Sequence, residues 1–358
     1  MKQEKVYAYI GRFQGAHNGH YDTTIQSLAK CDHLVIVVGS YEKARDPKNP
    51  FQFKEIKAVL EEMLEPTISS YRSMGISKKL SIVPVHDYVY NNTKWLSEVQ
   101  SQVSSVTNSS DITLTGYNKD ESSFYLKFFP QWKQDFLKES VQGIDATTIR
   151  NSFFGEGKIE YDMLPDATAK FLANFKLNHQ YVYDIIRAEH KCVLDYKEDH
   201  KDMPWQAPFL TGDAVVTCAG HILLIERGEF PGKGLWALPG GFFKNQVDAT
   251  IPGDKVDYDQ IDSAIRELRE ETKLKVPYPV LRGCIRESVD FTHPNRSLRW
   301  RIMTKASYIV LNDTTLPRVR GSDDAKKAMW IPINDVKTNR SKFFEDHVHI
   351  IDTFLGVL

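Results

Sequence analysis

Along the first half of the chain, short apolar runs alternate with longer stretches in which apolar positions recur every three or four residues. "VYAYIG", "HLVIVVGS", "LSIVPVHD" and "DITLTG" read as strands. The stretch from about Gly19 to Lys30, "FKEIKAVLEEML" and "KWLSEVQSQV" read as amphipathic helices. Near-continuous apolar strands separated by such helices are what a parallel sheet covered on both faces requires, so the pattern predicts a doubly wound α/β domain. In such sheets ligands bind beyond the carboxyl ends of the strands, which puts the loops after Ile10, Val38, Val85 and Leu114 on one crevice. From about Leu164 to Val193 the periodicity is helical; "CVLDYKEDHKDMPWQAP" is then charged, proline-bearing and non-periodic, as a linker would be.

Beyond it the pattern changes. "FLTGDAVVTCAGHILLIERG" reads as a hairpin turning at Ala219-Gly220, followed by "LWALPGG", a long polar insert and a strongly charged helix. Two β-rich segments, "YPVLRGCIRESVDF" and "RWRIMTKASYIVL", precede a last helix, so this half is α+β. The expected organisation is an N-terminal domain over 1–190, a linker over 191–206 and a C-terminal domain over 207–358. A length of 358 residues agrees with about two cores.

Composition narrows the class. With 41% hydrophobic and 26% charged residues the chain reads as a globular enzyme. No apolar run approaches the roughly 18 residues of a membrane span, and "MKQEKVYAYI" lacks a signal peptide's apolar core and cleavage site. Cys31, Cys192, Cys218 and Cys284 lie far apart, which argues against a zinc site or disulfide framework and for a cytoplasmic location. A net charge of −1 gives no general attraction to nucleic acid or anionic lipid, so any anionic ligand must be held by local groups. Neither nucleic acid nor membrane is expected as a partner; a homo-oligomer remains open.

Two segments offer such groups in the first half. In "GRFQGAHNGH" a strand end, a glycine turn and a helix start would aim backbone N–H groups at one spot, with His17, His20 and Arg12 around it. A plain turn with surface histidines would read the same way, and zinc lacks a third ligand at suitable spacing. In "GIDATTIRNSFF", Asp145 as N-cap, Thr147 and Thr148 in the first turn and Arg150 one turn on make a phosphate-facing helix start or an ordinary capped helix.

The first segment resembles the HxGH signature of nucleotidylyltransferases, in the form found in archaeal-type nicotinamide mononucleotide adenylyltransferases; the second is similar to that family's "ISxTxIR" segment. The resemblance implies a Rossmann-like domain that joins ATP to nicotinamide mononucleotide, giving NAD and pyrophosphate. It implies catalytic roles for His17, His20, Arg12 and Arg150, and ATP contacts for Gly11, Phe13, Gly19, Thr147 and Ile149. Asp145 stands where the family usually has serine, and a carboxylate beside a triphosphate is repulsive unless it caps the helix or meets a cation. "RDPKNPF", "YNNTKWLSEVQ" and "GYNKDESSFYLKFFPQW" look like the family's mononucleotide and adenosine loops, implying that Arg45, Asn91 and Trp95 hold the mononucleotide. Trp95 would stack on the cationic ring, though a core tryptophan would show the same spacing. Lys119 and Asp120 follow a strand end, where a ligand contact or a solvated turn would fit.

In the second half, "AIRELREET" places Glu267, Glu270 and Glu271 on one helix face, where three carboxylates repel unless a divalent cation sits among them; a solvated charged helix is the plainer reading. The upstream glycine pair Gly240-Gly241 permits close backbone approach to a ligand. Together these resemble the Nudix box, implying metal ligation by Glu267, Glu270 and Glu271 and substrate contacts from Gly240, Gly241, Arg266 and Asp324. Three features depart from it. The stretch from Gly241 to Arg266 is roughly 11 residues too long, the box's earlier glutamate has no counterpart, and Lys273 replaces the usual glycine. "RVRGSDDAKKAMWIPINDV" is similar to the region following the box in ADP-ribose pyrophosphatases, where Asp323 or Asp324 would help with metal or water and Arg286, Arg299 or Arg301 would meet a phosphate. The implied cofactor is Mg2+, with Mn2+ as the alternative, and the implied substrates are ATP, nicotinamide mononucleotide and ADP-ribose. The expected whole is a bifunctional NAD-metabolism enzyme whose second half splits ADP-ribose into AMP and ribose 5-phosphate. The alternative is a nucleotidylyltransferase for another acceptor, with a C-terminal half that only senses ADP-ribose or a related nucleotide.

Overall fold

The computed structural model describes residues 3–116, 127–136, 144–203, 205–244 and 256–358. Lys119, Asp120 and most of the insert before the charged helix lie outside them. The chain divides into two compact units, Met1–His190 and Lys191–Leu358.

In the first unit, β1 (Val6–Gly11), β2 (His33–Val38), β3 (Lys79–Pro84), β4 (Ile112–Gly116) and β5 (Lys133–Phe136) form one sheet in the order β3-β2-β1-β4-β5. Every pairing in it is parallel. The apolar runs are explained by burial on both faces. Tyr7, Tyr9, Leu34, Ile36 and Val38 join one core with α1 (Asn18–Lys30), α2 (Phe53–Ser73) and α5 (Asp166–Asn178). Val6, Ala8, Ile10, Val35 and Val37 join the other, against Val99 and Val103 of α3 (Asn92–Ser104). The order reverses between β1 and β4, so their carboxyl ends open the crevice expected of a doubly wound sheet. Edge strand β5, absent from the sequence pattern, is held by Asp135, which accepts from Tyr7 Oη at 2.9 Å and Lys30 Nζ at 2.8 Å.

The helical stretch expected to end at Val193 is two helices. α5 stops at Asn178, and α6 (Gln180–His200) runs on through the first ten residues of the expected linker. Packing overrides composition there: Tyr196 stacks on His200 at 4.4 Å, and the His200 ring meets Phe209 at 5.1 Å.

The second unit is built on a mixed sheet, β10-β11-β6-β7-β12, comprising β6 (Phe209–Cys218), β7 (His221–Arg227), β10 (Ile285–Phe291), β11 (Ile302–Leu311) and β12 (Ala325–Pro332). Short strands β8 (Trp236–Ala237) and β9 (Gly240–Phe242) pair with β7 and β6. The β6–β7 hairpin turns at Ala219 (φ 44°) and Gly220 (φ 76°), the paired left-handed geometry that a tight two-residue turn demands. The charged helix is α7 (Gln260–Thr272), whose Ala264, Ile265 and Leu268 are fully buried. It lies so close to β6 that a Cβ at Gly212 would fall 2.0 Å from the Gln260 carbonyl oxygen. The segment "YPVLRG", expected to be β-rich, is the short helix α8 (Tyr278–Gly283), with Pro277 as its N-cap. The last helix is α10 (His347–Leu355).

Candidate functional site

The loop from β1 to α1 carries the first constellation. His17 is the N-cap of α1: its Nδ1 accepts from the Gly19 N–H at 3.2 Å, and His20 Nδ1 accepts from the His17 N–H at 3.3 Å. The two rings lie 3.8 Å apart. Because both Nδ1 atoms accept, these bonds assign the proton of each neutral imidazole to Nε2, and an N–H of this kind suits a phosphate oxygen. Phe13 sits in the left-handed region (φ 52°), and a Cβ on Gly11 would fall 2.9 Å from its ring, so glycine at 11 makes room for Phe13.

Arg150 comes to this same loop. α4 (Ala146–Asn151) presents it so that Nη1 donates to the Gln14 carbonyl at 3.0 Å and Nη2 to Thr147 Oγ1 at 3.3 Å, while Ile149 packs against Gly15. Burial, with the positive charge of Arg12, lowers the Arg150 guanidinium to about 10. Asp145 is the N-cap of α4 and accepts from Thr147 N–H (2.7 Å), Thr148 N–H (2.9 Å) and Thr148 Oγ1 (2.9 Å). Burial opposes its ionisation, but the donations from Thr148 and Thr147 outweigh burial and hold the carboxyl below its ordinary range. The aspartate thus uses the first backbone donors of the helix that the sequence reading aimed at ATP, Thr147's among them.

Three residues here were not singled out in the sequence, although Gln14 and Lys48 lie inside the quoted motifs. Gln14, 3% exposed, clasps the Phe51 backbone: Nε2 donates to the Phe51 carbonyl and Oε1 accepts the Phe51 N–H, each at 2.9 Å. Lys43 and Lys48 belong to a turn organised by Asp46, which accepts from Lys48 N–H at 2.8 Å and pairs with Lys43 at 3.2 Å. Burial lowers Lys48 to about 8, helped by the positive charges of Arg12 and Lys43. Arg12, Lys43, Lys48 and Arg150 thereby concentrate positive charge from three separate segments at the carboxyl end of the sheet.

The expected mononucleotide contacts divide. Arg45 is engaged elsewhere: it makes a bidentate pair with Glu55 (2.8 and 2.9 Å) and lies 5.6 Å over the Phe175 ring. Glu55 sits in the first turn of α2. Asn91 is the N-cap of α3, accepting from Lys94 N–H at 3.0 Å. Trp95, one turn on, is half-buried with its ring edge-on to Phe129 at 6.0 Å.

In the second unit, Glu267, Glu270 and Asp323 each offer a carboxylate oxygen within 4.8 Å of the others. Asp323 thus joins two of the three expected carboxylates. Glu271 is 4% exposed and accepts from the Gly240 N–H at 3.0 Å; burial, with the negative charges of Glu267 and Asp213, pushes its carboxyl up to about 9. Asp323, which brings its carboxylate to Glu267 and Glu270, sits in the left-handed region (φ 56°). Asp324 contributes its backbone, accepting from the Gly228 N–H at 2.7 Å. The glycine pair serves packing: a Cβ at Gly240 would fall 2.2 Å from Asp213 Oδ1, and one at Gly241 2.3 Å from Glu267 Oε1. Arg266 grips Asp257 at 3.0 and 2.9 Å, the Phe242 carbonyl at 2.9 Å, Glu267 at 2.7 Å and Glu270 at 3.0 Å. Asp257, 4% exposed, demands this counter-charge. Lys273 caps α7 with φ 52°, the left-handed conformation that makes glycine usual there. Three clustered carboxylates are a hard-oxygen donor set suited to a divalent cation.

A NUDIX domain family model matches residues 209–354, and a cytidylyltransferase-like one matches residues 8–116. The whole fold superposes on a bifunctional NMN adenylyltransferase/ADP ribose pyrophosphatase from Francisella tularensis, with a TM-score of 0.86 and 31% identity over 99% of each chain. The chain belongs to this bifunctional family. A second structure of the Francisella member of the bifunctional family, complexed with AMP and a manganese ion, matches with a TM-score of 0.85 and 30% identity over 99% of each chain. Single-function relatives match about half of the chain. The nicotinamide/nicotinic acid mononucleotide adenylyltransferase of Acinetobacter baylyi is 34% identical over 169 residues, 47% of this chain and 85% of its own length. The ADP-ribose pyrophosphatase of Methanocaldococcus jannaschii is 29% identical over 165 residues, 46% of this chain and 83% of its own. Among the described residues no helix is long and apolar enough to cross a membrane.

Proposed function

We propose that the first unit joins ATP to nicotinamide mononucleotide and that the second hydrolyses ADP-ribose. The observation that carries the first reading is Arg150's bond to the Gln14 carbonyl, which closes a cationic cradle around the His17–His20 loop. In the proposed step, the 5′-phosphate oxygen of the mononucleotide attacks the α-phosphorus of ATP, and the bond to the β-phosphate oxygen breaks to release pyrophosphate. Phosphoryl transfer of this kind asks the protein chiefly for position and charge neutralisation. The Nε2–H donors of His17 and His20 and the charges of Arg12, Lys43, Lys48 and Arg150 suit the triphosphate and the charge that builds on its leaving group. Trp95 supplies an aromatic face for the cationic ring.

In the second unit, Glu267, Glu270 and Asp323 would hold Mg2+, whose charge neutralises a pyrophosphate and makes a coordinated water more acidic. Arg266 keeps Glu267 and Glu270 in place through Asp257. Glu271 fixes the β9 backbone. Water adds to one phosphorus of ADP-ribose, and the pyrophosphate bridge breaks to give AMP and ribose 5-phosphate.

The test supplies the full chain with ATP, nicotinamide mononucleotide and Mg2+, and separately with ADP-ribose and Mg2+. NAD is expected in the first mixture and AMP in the second, and chelation should stop AMP release. A folded chain that yields no NAD overturns the first assignment, and ADP-ribose bound without AMP release overturns the second.

A further inference from the structure

A group of cations in the second unit has no part in the chemistry above. Lys273, Lys275, Arg318 and Arg320 line a cavity of about 800 Å³ whose one carboxylate is Asp313. None of the four has an ion pair or side-chain hydrogen bond among the described residues. By contrast, Arg282, Lys305, Lys326 and Lys327 each face a carboxylate. Unpaired positive charge is thus gathered around a concavity, whereas those four cations are neutralised.

The frame that holds them is tied down. Lys273 is fixed as the C-cap of α7. The loop carrying Arg318 and Arg320 is bonded to that helix end, Arg320 N–H donating to the Thr272 carbonyl at 2.8 Å and Ser322 N–H to the Glu271 carbonyl at 3.0 Å. From below, Trp330 Nε1–H donates to the Pro317 carbonyl at 2.8 Å, and Cys218 Sγ lies 3.6 Å from the Asp313 carbonyl. A pre-formed cavity of this volume lies in the range that takes small ligands. Its cations come in two pairs on two segments, and Val276 and Val319 give it apolar edges. Paired cations suit a chain of phosphates better than a single one, and the apolar edges suit a heterocycle.

We propose that this cavity is a second anion site, separate from the carboxylate cluster, that takes a di- or triphosphate-bearing nucleotide without a metal ion. The test is hydrogen exchange of the full chain in EDTA, with inorganic tripolyphosphate as probe and a single-stranded oligonucleotide in a parallel arm. Tripolyphosphate should protect amides of residues 312–322. In the double variant Lys275→Gln/Arg318→Gln that protection should need about tenfold more probe, while Mg2+-dependent AMP release from ADP-ribose stays within about twofold of wild type. No protection, or protection unchanged in the variant, overturns the proposal. So does protection by the oligonucleotide alone, or AMP release falling in step with the lost protection, since the cavity would then belong to the hydrolytic site.

Discussion

Gln14→Ala removes a side chain whose amide bonds go to the protein's own backbone, and it should be costly. Both bonds of the Gln14 amide go to the backbone of Phe51, at 2.9 Å each, and both residues are buried, at 3% and 5% exposure. Truncation leaves an N–H and a carbonyl unpaired in dry surroundings, at about 1 to 3 kcal/mol for each. Allowing for partial rescue by water, the N-terminal unit should lose about 3 kcal/mol, equivalent to roughly 6 to 12 °C in its melting temperature. Function should suffer as well. The clasp fixes the Arg12–His17 loop relative to the turn carrying Lys43 and Lys48, so the KM for ATP should rise by about tenfold. Gln14→Glu should do no better, because it restores the acceptor for the Phe51 N–H but sets a carboxylate against the Phe51 carbonyl. The assay follows NAD formation and thermal unfolding of the full chain, with AMP release from ADP-ribose as internal control on the other unit. A change below about 0.5 kcal/mol with an unaltered KM would refute the view that this amide assembles the cradle.

The other predictions concern single positions. Asp145's carboxyl is held below its ordinary 3.8 in the folded state, so its stabilisation is complete above that value and fades as pH falls through the depressed one. Asp145→Asn should remove this acid-side slope, and Asp145→Ala should cost about 1 kcal/mol through loss of the cap; an unchanged pH profile of unfolding in the Asn variant would contradict the capping role. Asp323→Asn should lower AMP release by about 100-fold while Asp324→Asn stays near wild type, with NAD formation intact in both; equal loss in the two would reject the placement of Asp323 in the cluster. Trp95→Ala should raise the KM for nicotinamide mononucleotide by roughly tenfold and leave that for ATP nearly unchanged, so a matching rise in both would dismiss stacking on the ring.

What the sequence made legible was whatever rests on local periodicity or compact motifs. Strands β1, β2 and β4 of the first sheet show because they are buried, whereas the mostly exposed edge strand β5 does not. The α7 carboxylates show because helical spacing alone puts them on one face. What it concealed was partnership across distance. Arg266 resembles a substrate contact in sequence, and its grip on Asp257, in the connection just before α7, shows only in the fold. Adjacent Asp323 and Asp324 cannot be ranked in sequence, because the choice depends on a left-handed backbone set by Ser322's bond to the end of α7. Arg45 was expected to hold the mononucleotide, and its pairing with Glu55 shows only in the fold. Lys43 and Lys48 gather with Arg12 only after the Asp46 turn has formed. The aspartate at 145, anomalous for a phosphate-facing position, is resolved by its own geometry as a cap.

The bond between Arg150 and Gln14 joins residues 136 positions apart. A growing polypeptide therefore holds its histidine loop long before it holds the arginine that closes it, and contacts of such long range are among the slowest to form. A nascent chain released before residue 150 lacks both that arginine and α5, part of the core that supports the crevice. Adenylyl transfer then becomes a report on completed synthesis of the first unit, because a partial product can resemble the enzyme without acting as one.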